Sequence, residues 1–130
     1  MTYSILIVDD SELIRRLVRS VIEHNTEWWV CGEAENGRAA LEQVQQLRPD
    51  MVILDFQMPV MNGLEAARKI ALLAPNTAMV MFTMHNCEQL RHDAEAAGIR
   101  DVVSKSDGFV EHMIGSLRNA LASTSTRPAA

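Results

Sequence analysis

Several residue types that would steer a reading are scarce. The 130 residues include two cysteines, Cys31 and Cys87, far apart and in no C-x-x-C pair. A disulfide scaffold is therefore not expected, and a reducing cytoplasm is the expected compartment. Aromatics are 5% of the chain, so aliphatic residues and methionine must fill the core. No apolar run approaches the ~20 residues that a membrane helix needs. The N-terminal residues 1–5 place no basic segment before an apolar stretch, as a secretory signal would. Positive charge is short too: the net charge is -5, which argues against a nucleic-acid-binding surface. The apolar fraction of 48% and charged fraction of 22% are ordinary for a globular domain. At this length a fold buries roughly two thirds of its unfolded surface and needs no staple.

A pattern type recurs along the chain: a short apolar run, then a helical period. Ser4 to Asp9 reads as a first strand, apolar on both faces, as in a buried parallel strand. Leu13, Ile14, Leu17, Val18, Val21 and Ile22 share one face of a helix, with Ser11 or Asp10 as its cap and Asn25 near its end. Trp28 to Ala34 is a second strand; a second helix follows Asn36-Gly37 and stops before Pro49. Met51 to Asp55 is a third strand, and a loop with Pro59 leads to a third helix capped by Asn62. Thr77 to Thr83, a helix from Asn86 to Ala97 with Gly98 as its left-handed cap, Asp101 to Ser104, and a helix from Phe109 to Leu121 complete the order. Residues 1–122 form one domain in this reading and 123–130 a frayed tail.

Alternating strands and helices imply an α/β fold: a doubly wound, five-stranded parallel sheet with helices on both faces. The flavodoxin-like order 2-1-3-4-5 is the simplest fit, with the ligand crevice beyond the carboxyl ends of the strands. Asp9 and Asp10 end the first strand, Asp55 the third and Thr83 the fourth, while Lys105 follows the fifth. Any one Asp at such a junction could simply cap a helix. Three carboxylates brought together stay ionised only when a cation shares their site. With oxygen ligands and no Cys or His, that cation is a hard one, Mg²⁺ or Mn²⁺, which keeps positions open for phosphoryl oxygens. Lys105, one of two lysines, sits where the acids need a counter-charge.

The sequence resembles the receiver domain of two-component response regulators over about residues 4 to 121. The matching pieces are Ile5-Leu6-Ile7-Val8-Asp9-Asp10, Pro49 to Asp55, Met58-Pro59-Val60-Met61-Asn62-Gly63, Phe82-Thr83, Ala96-Ala97-Gly98 and Val103-Ser104-Lys105. Each alone is weak; together, in order and at these spacings, they are specific. The resemblance implies that Asp55 accepts a phosphoryl group from a phosphohistidine on a sensor histidine kinase or phosphotransfer protein. It implies that Asp10, Asp55 and the backbone carbonyl of Gln57 hold Mg²⁺ directly and Asp9 mainly through water. Thr83 and Lys105 would then move toward the phosphoryl group and change the face of the fourth helix, fifth strand and fifth helix. That face is also where a homodimer is expected.

Some residues depart from the family pattern. Val102 stands where the family has Tyr or Phe, so an aromatic rotamer switch is missing or replaced. Ser106 replaces the usual Pro, so a cis bond after Lys105 would cost about 3 kcal/mol and is not expected. Met84 replaces a small residue beside Thr83; with His85 and Gln57 it is expected to set the lifetime of the phosphoryl group. Autodephosphorylation of Met84→Ala would test this. The four histidines are expected on the surface, Cys87 in the core, and Trp28-Trp29 as one core and one surface residue. Arg15, Arg16 and Arg19 form a solvated basic face or part of a kinase-docking surface.

The expected role is a phosphoacceptor signalling domain, not a metabolic enzyme, with weak intrinsic autophosphorylation and autodephosphorylation. No output domain is visible after residue 121, so the domain is expected either to work alone through protein contacts or to be a fragment of a longer regulator. A pseudo-receiver that binds partners without phosphorylation is the alternative. A phosphohydrolase of the haloacid-dehalogenase type would need an Asp where Gln57 stands.

Overall fold

The computed structural model describes residues 2–125, with side chains through residue 122. The chain runs β1 (Ser4–Val8), α1 (Glu12–Asn25), β2 (Trp29–Ala34), α2 (Gly37–Leu47), β3 (Met51–Leu54), α3 (Gly63–Leu73), β4 (Ala78–Thr83), α4 (Glu88–Ala96), β5 (Asp101–Ser104) and α5 (Phe109–Ser125). All the strands are parallel, in the order β2-β1-β3-β4-β5. This is the doubly wound, flavodoxin-like sheet expected from the sequence. Helical backbone carries through residues 123–125 of the expected tail, and residues 126–130 lie outside the described residues.

Successive strand residues point to opposite faces, and here both faces are covered. Leu6, Val8, Val52, Leu54, Met79, Met81 and Val102 pack with Ala40 and Val44 of α2, Ala67 and Ile70 of α3, and Leu90 and Ala94 of α4. Ile5, Ile7, Ile53, Val80, Phe82 and Val103 pack with Val18, Val21 and Ile22 of α1 and with Met113, Leu117 and Leu121 of α5. Double coverage is the reason the strand sequences are continuous rather than alternating. Each such buried side chain contributes roughly 1.5–3 kcal/mol before its ordering entropy is subtracted.

Helix starts follow local chemistry. Ser11 caps α1 by accepting from the Ile14 amide, Asn36 caps α2 through Ala39, and Asn62 caps α3 through Glu65. Asp10 is not the cap of α1. The fourth helix starts at Glu88 rather than Asn86, and Cys87 occupies its cap position without a side-chain hydrogen bond. Cys87 is exposed, not in the core as expected, because a cap position lies outside the helix's buried stripe. Gly98 does end α4, at φ +94°, with the Ile99 amide donating back to the Ala94 carbonyl. Trp28 is buried and Trp29 exposed, and the four histidines are exposed.

Register positions the site. Val8 pairs with Leu54, and Thr83 with Ser104. The residues that follow, Asp9 and Asp55 on one side and Lys105 on the other, therefore emerge together at the carboxyl edge of the sheet.

Candidate functional site at the carboxyl edge

Asp9 and Asp55 stand one residue past the paired strands β1 and β3. Their side chains are nearly sealed, at 3% and 8% exposure, while Asp10 faces solvent. One carboxylate oxygen from each of Asp9, Asp10 and Asp55 lies within 4.8 Å of the others. Lys105 donates to both buried acids, at 2.7 Å to Asp9 Oδ2 and 3.1 Å to Asp55 Oδ2. Its Nζ also lies 5.6 Å from the centre of the Phe82 ring. One ammonium thus serves two buried carboxylates, and the exposed third adds charge that it does not match.

Backbone amides orient the acids. Ser11 N–H donates to Asp9 Oδ1 and Phe56 N–H to Asp55 Oδ1. Arg15, which sequence reasoning placed in a basic face, donates to the Asp9 carbonyl and to Glu33. Arg19 also pairs with Glu33, and Arg16 with Glu12, so carboxylates answer the expected basic face. No short-range pattern marks Arg15 as a site neighbour, because one partner, Asp9, follows β1 and the other, Glu33, lies in β2.

Titration reflects these surroundings. Burial lifts the Asp9 carboxyl above its ordinary value, against the pull of Lys105 and the Ser11 amide. Burial alone would lower Lys105, but the hydrogen bond it donates to Asp9 and the charges of Asp55 and Asp9 hold its ammonium above the usual lysine value.

Thr83 is fully buried, and its hydroxyl accepts from the His85 amide at 3.2 Å. His85 Nε2 lies 2.6 Å from Gln57 Oε1, joining the β3–α3 and β4–α4 loops. An open depression of about 490 Å³ over the acids is lined by Asp10, Asp55, Gln57, Met58, Pro59, Met84, His85 and Lys105. Met84 is 75% exposed and stands at its rim. The structure thus gathers Asp9, Asp10, Asp55 and Lys105 in direct contact range, with Thr83 at the edge of the adjoining strand and Gln57 on the wall.

The loop after Asp55 is tightly held. Gly63 N–H donates to Phe56 O, and a Cβ at Gly63 would meet the Asp55 carbonyl oxygen at 2.1 Å. Only glycine lets α3 begin this close. Val60 takes the left-handed conformation at φ 71°, a strained state for a β-branched residue.

The fold has known counterparts. The family model for the response regulator receiver domain matches residues 5–112. Chemotaxis protein CheY of Thermotoga maritima is 35% identical, over 78% of this chain and 83% of that protein. A protein-glutamate methylesterase/protein-glutamine glutaminase of Alkalilimnicola ehrlichii is 38% identical, over 96% of this chain but 36% of that protein. The chain spans about a third of the length of such methylesterase relatives. The crystal structure of the response regulator domain of Thermotoga maritima CheB superposes with a TM-score of 0.88 at 27% identity, covering 98% of this chain and 100% of that one. With the profile spanning most of its length and the acidic pocket in place, this chain is a receiver domain of the response regulator family.

Proposed function

We propose that Asp55 is the phosphoacceptor in a Mg²⁺-dependent transfer from a phosphohistidine of a sensor kinase or phosphotransfer protein. The observation that carries this reading is the convergence of three carboxylate oxygens within 4.8 Å beside a lysine that contacts two of the acids. The donor set fits the metal: every candidate ligand is an oxygen, and one lysine leaves the cluster negative. Asp10, Asp55 and the Gln57 carbonyl would hold the ion, with Asp9 reached through water. When bound, Mg²⁺ would neutralise the acids and the phosphoryl oxygens.

The chain's own groups do the rest. A carboxylate oxygen of Asp55 forms a bond to phosphorus as the P–N bond to the donor imidazole breaks, leaving an acyl phosphate and a free imidazole. Lys105 releases Asp55 and meets the charge on the transferring oxygens, while the amides of Ser11 and Phe56 keep the acids aimed. The Thr83 hydroxyl gives up its hydrogen bond from His85 and turns to a phosphoryl oxygen. Met84, His85 and Gln57 edge the route of attacking water and set how long the acyl phosphate lasts.

Apolar side chains around the pocket suit a protein donor. Met84, 75% exposed, stands at its rim, and Leu13 and Val60, each 74% exposed, lie in the segments that follow β1 and β3. Partner burial is a common reason for large apolar groups to stand in water together. The α4–β5–α5 face carries the output, to a partner, a second copy of the chain or a further domain of a longer protein. The domain is a substrate of its kinase rather than a metabolic enzyme, and it acts in the cytoplasm without binding nucleic acid. No helix among the described residues is long and apolar enough to cross a membrane.

Incubation with a small acyl phosphate and Mg²⁺, read by intact mass, tests the assignment. The parent should gain one phosphoryl mass, and Asp55→Asn should not. A parent that gains nothing would leave a partner-binding domain that works without phosphorylation.

A further inference from the structure

Val102 is buried and apolar, and it packs in the core with Leu90, Ala94 and Ile99. It offers no group that could swing between two positions, so any signal from the acidic pocket must reach the outer face by another route. The side chain of Arg91 supplies one. Its Nε donates to Asn86 Oδ1 at 2.9 Å, in the loop that follows Thr83, Met84 and His85. Its Nη2 donates to the Val102 carbonyl at 3.0 Å, on the edge strand β5. Its Nη1 lies 3.8 Å from Asp101 Oδ1. Asp101 Oδ2 in turn accepts from the buried Ser116 hydroxyl of α5 at 2.6 Å.

We infer that Arg91 is a positioning residue that couples the β4–α4 loop to β5 and, through Asp101 and Ser116, to α5. The inference rests on the phosphoacceptor reading of Asp55. Two features support it. The first turn of α4 has no side-chain cap, so Asn86 spends its side chain on Arg91 instead of on the helix. The Arg91 side chain is also 47% exposed, so its contacts are individually weak and exchange readily. Two residues separate Thr83 from Asn86, and the Thr83 hydroxyl holds the first amide of that turn with an accepted hydrogen bond from His85. When Thr83 turns to the phosphoryl group it lets His85 go. Asn86 then shifts, and the guanidinium must rearrange against β5. Three donor directions from one planar group make this possible; a lysine ammonium cannot span the same acceptors.

Amide hydrogen exchange, followed by mass spectrometry with and without a small acyl phosphate and Mg²⁺, tests the coupling on the parent, Arg91→Lys and Ser116→Ala. In the parent, phosphorylation should change exchange in residues 84–87, α4, β5 and α5. Arg91→Lys should take up the phosphoryl group within about twofold of the parent rate. It should confine the exchange change to residues 84–87, while α2 and α3 keep parental protection and report an intact fold. Ser116→Ala should pass the change to α4 and β5 but not α5. The coupling is overturned when Arg91→Lys transmits the change to α5 as the parent does, or when its uptake falls tenfold or more, which would put Arg91 in the transfer itself. A parent that shows no added mass overturns the phosphoacceptor reading and the coupling with it, and the mass readout tells that result from the others.

Discussion

β3 is bracketed by two aspartates, and they could hardly differ more. Asp50, before the strand, lies in the open and accepts from the Ser4 amide at 2.8 Å and from its hydroxyl at 3.2 Å. Asp55, after it, is buried beside Asp9 and Asp10 and shares Lys105 with Asp9. One residue type at two ends of four strand residues has become a fastener in one place and a member of a buried acidic cluster in the other. The distinction comes from company and burial, not from the size of the nearby hollow. A depression of about 740 Å³ at the opposite, amino end of the sheet, lined by Tyr3, His24, Trp28 and Arg118, exceeds the 490 Å³ over Asp55. That larger hollow gathers no cluster of like charges.

Substitutions at the two ends should separate chemistry from stability. The largest effect belongs to Lys105→Met, which leaves Asp9 and Asp55 without their cation. Phosphoryl uptake, timed by intact mass, should slow roughly 10²-fold or more. A loss smaller than threefold would erase the contrast between the ends. Trp28→Ala at the amino end should do the reverse. It removes a buried ring that lies 6.2 Å from Tyr3 and 5.3 Å from the Arg118 guanidinium. Chemical denaturation should show a loss of about 3 kcal/mol, with the uptake rate of the folded protein unchanged.

A smaller effect is expected from Asp10→Asn, which removes the exposed member of the like-charged cluster. In metal-free buffer the variant should gain about 0.5 kcal/mol from reduced repulsion. Millimolar Mg²⁺ should raise the melting temperature of the parent but not of this variant, because only the parent keeps the full ligand set. The smallest effect concerns Glu33 on β2, a carboxylate near the same edge with two arginines of its own. Burial pushes its carboxyl up, but hydrogen bonds and charge from Arg19 and Arg15 outweigh that and hold it below the ordinary value. The unfolded chain therefore binds the proton more readily than the folded one across that window. Stability from this group is complete above the ordinary glutamate range and disappears as pH falls through the lowered value. Glu33→Gln should cost about 0.3 kcal/mol at neutral pH and flatten the acid limb of a denaturation series.

The fold was legible because its determinants are local. Apolar runs mark strands that are covered twice, and Ser11, Asn36 and Asn62 announce helix starts with their own side chains. The carboxyl-edge cluster was legible once the strand order was inferred, since Asp9 and Asp55 each directly follow a strand and Asp10 is next along the chain. Reading failed where a side chain answers a distant partner. Asn86, read as the first residue of the fourth helix, lies outside it and is engaged by Arg91, and Cys87 takes the cap position in the open. Arg15 and Arg19 look like a free basic stripe until β2 brings Glu33 alongside. The extra residue at Cys31, where the β1–β2 register slips between Ile5 and Leu6, also leaves no mark in the periodicity.

The joint between β3 and α3 has a consequence for how such a protein can vary. At Gly63 even a methyl group would collide with the main chain of Asp55. A change there would reach the backbone of Asp55 before it disturbed the helix that starts at that residue. Drift in the outer surfaces of α3 leaves Asp55 alone, whereas this one hinge transmits any added bulk straight to it, so tolerance along the helix should drop abruptly at its first residue.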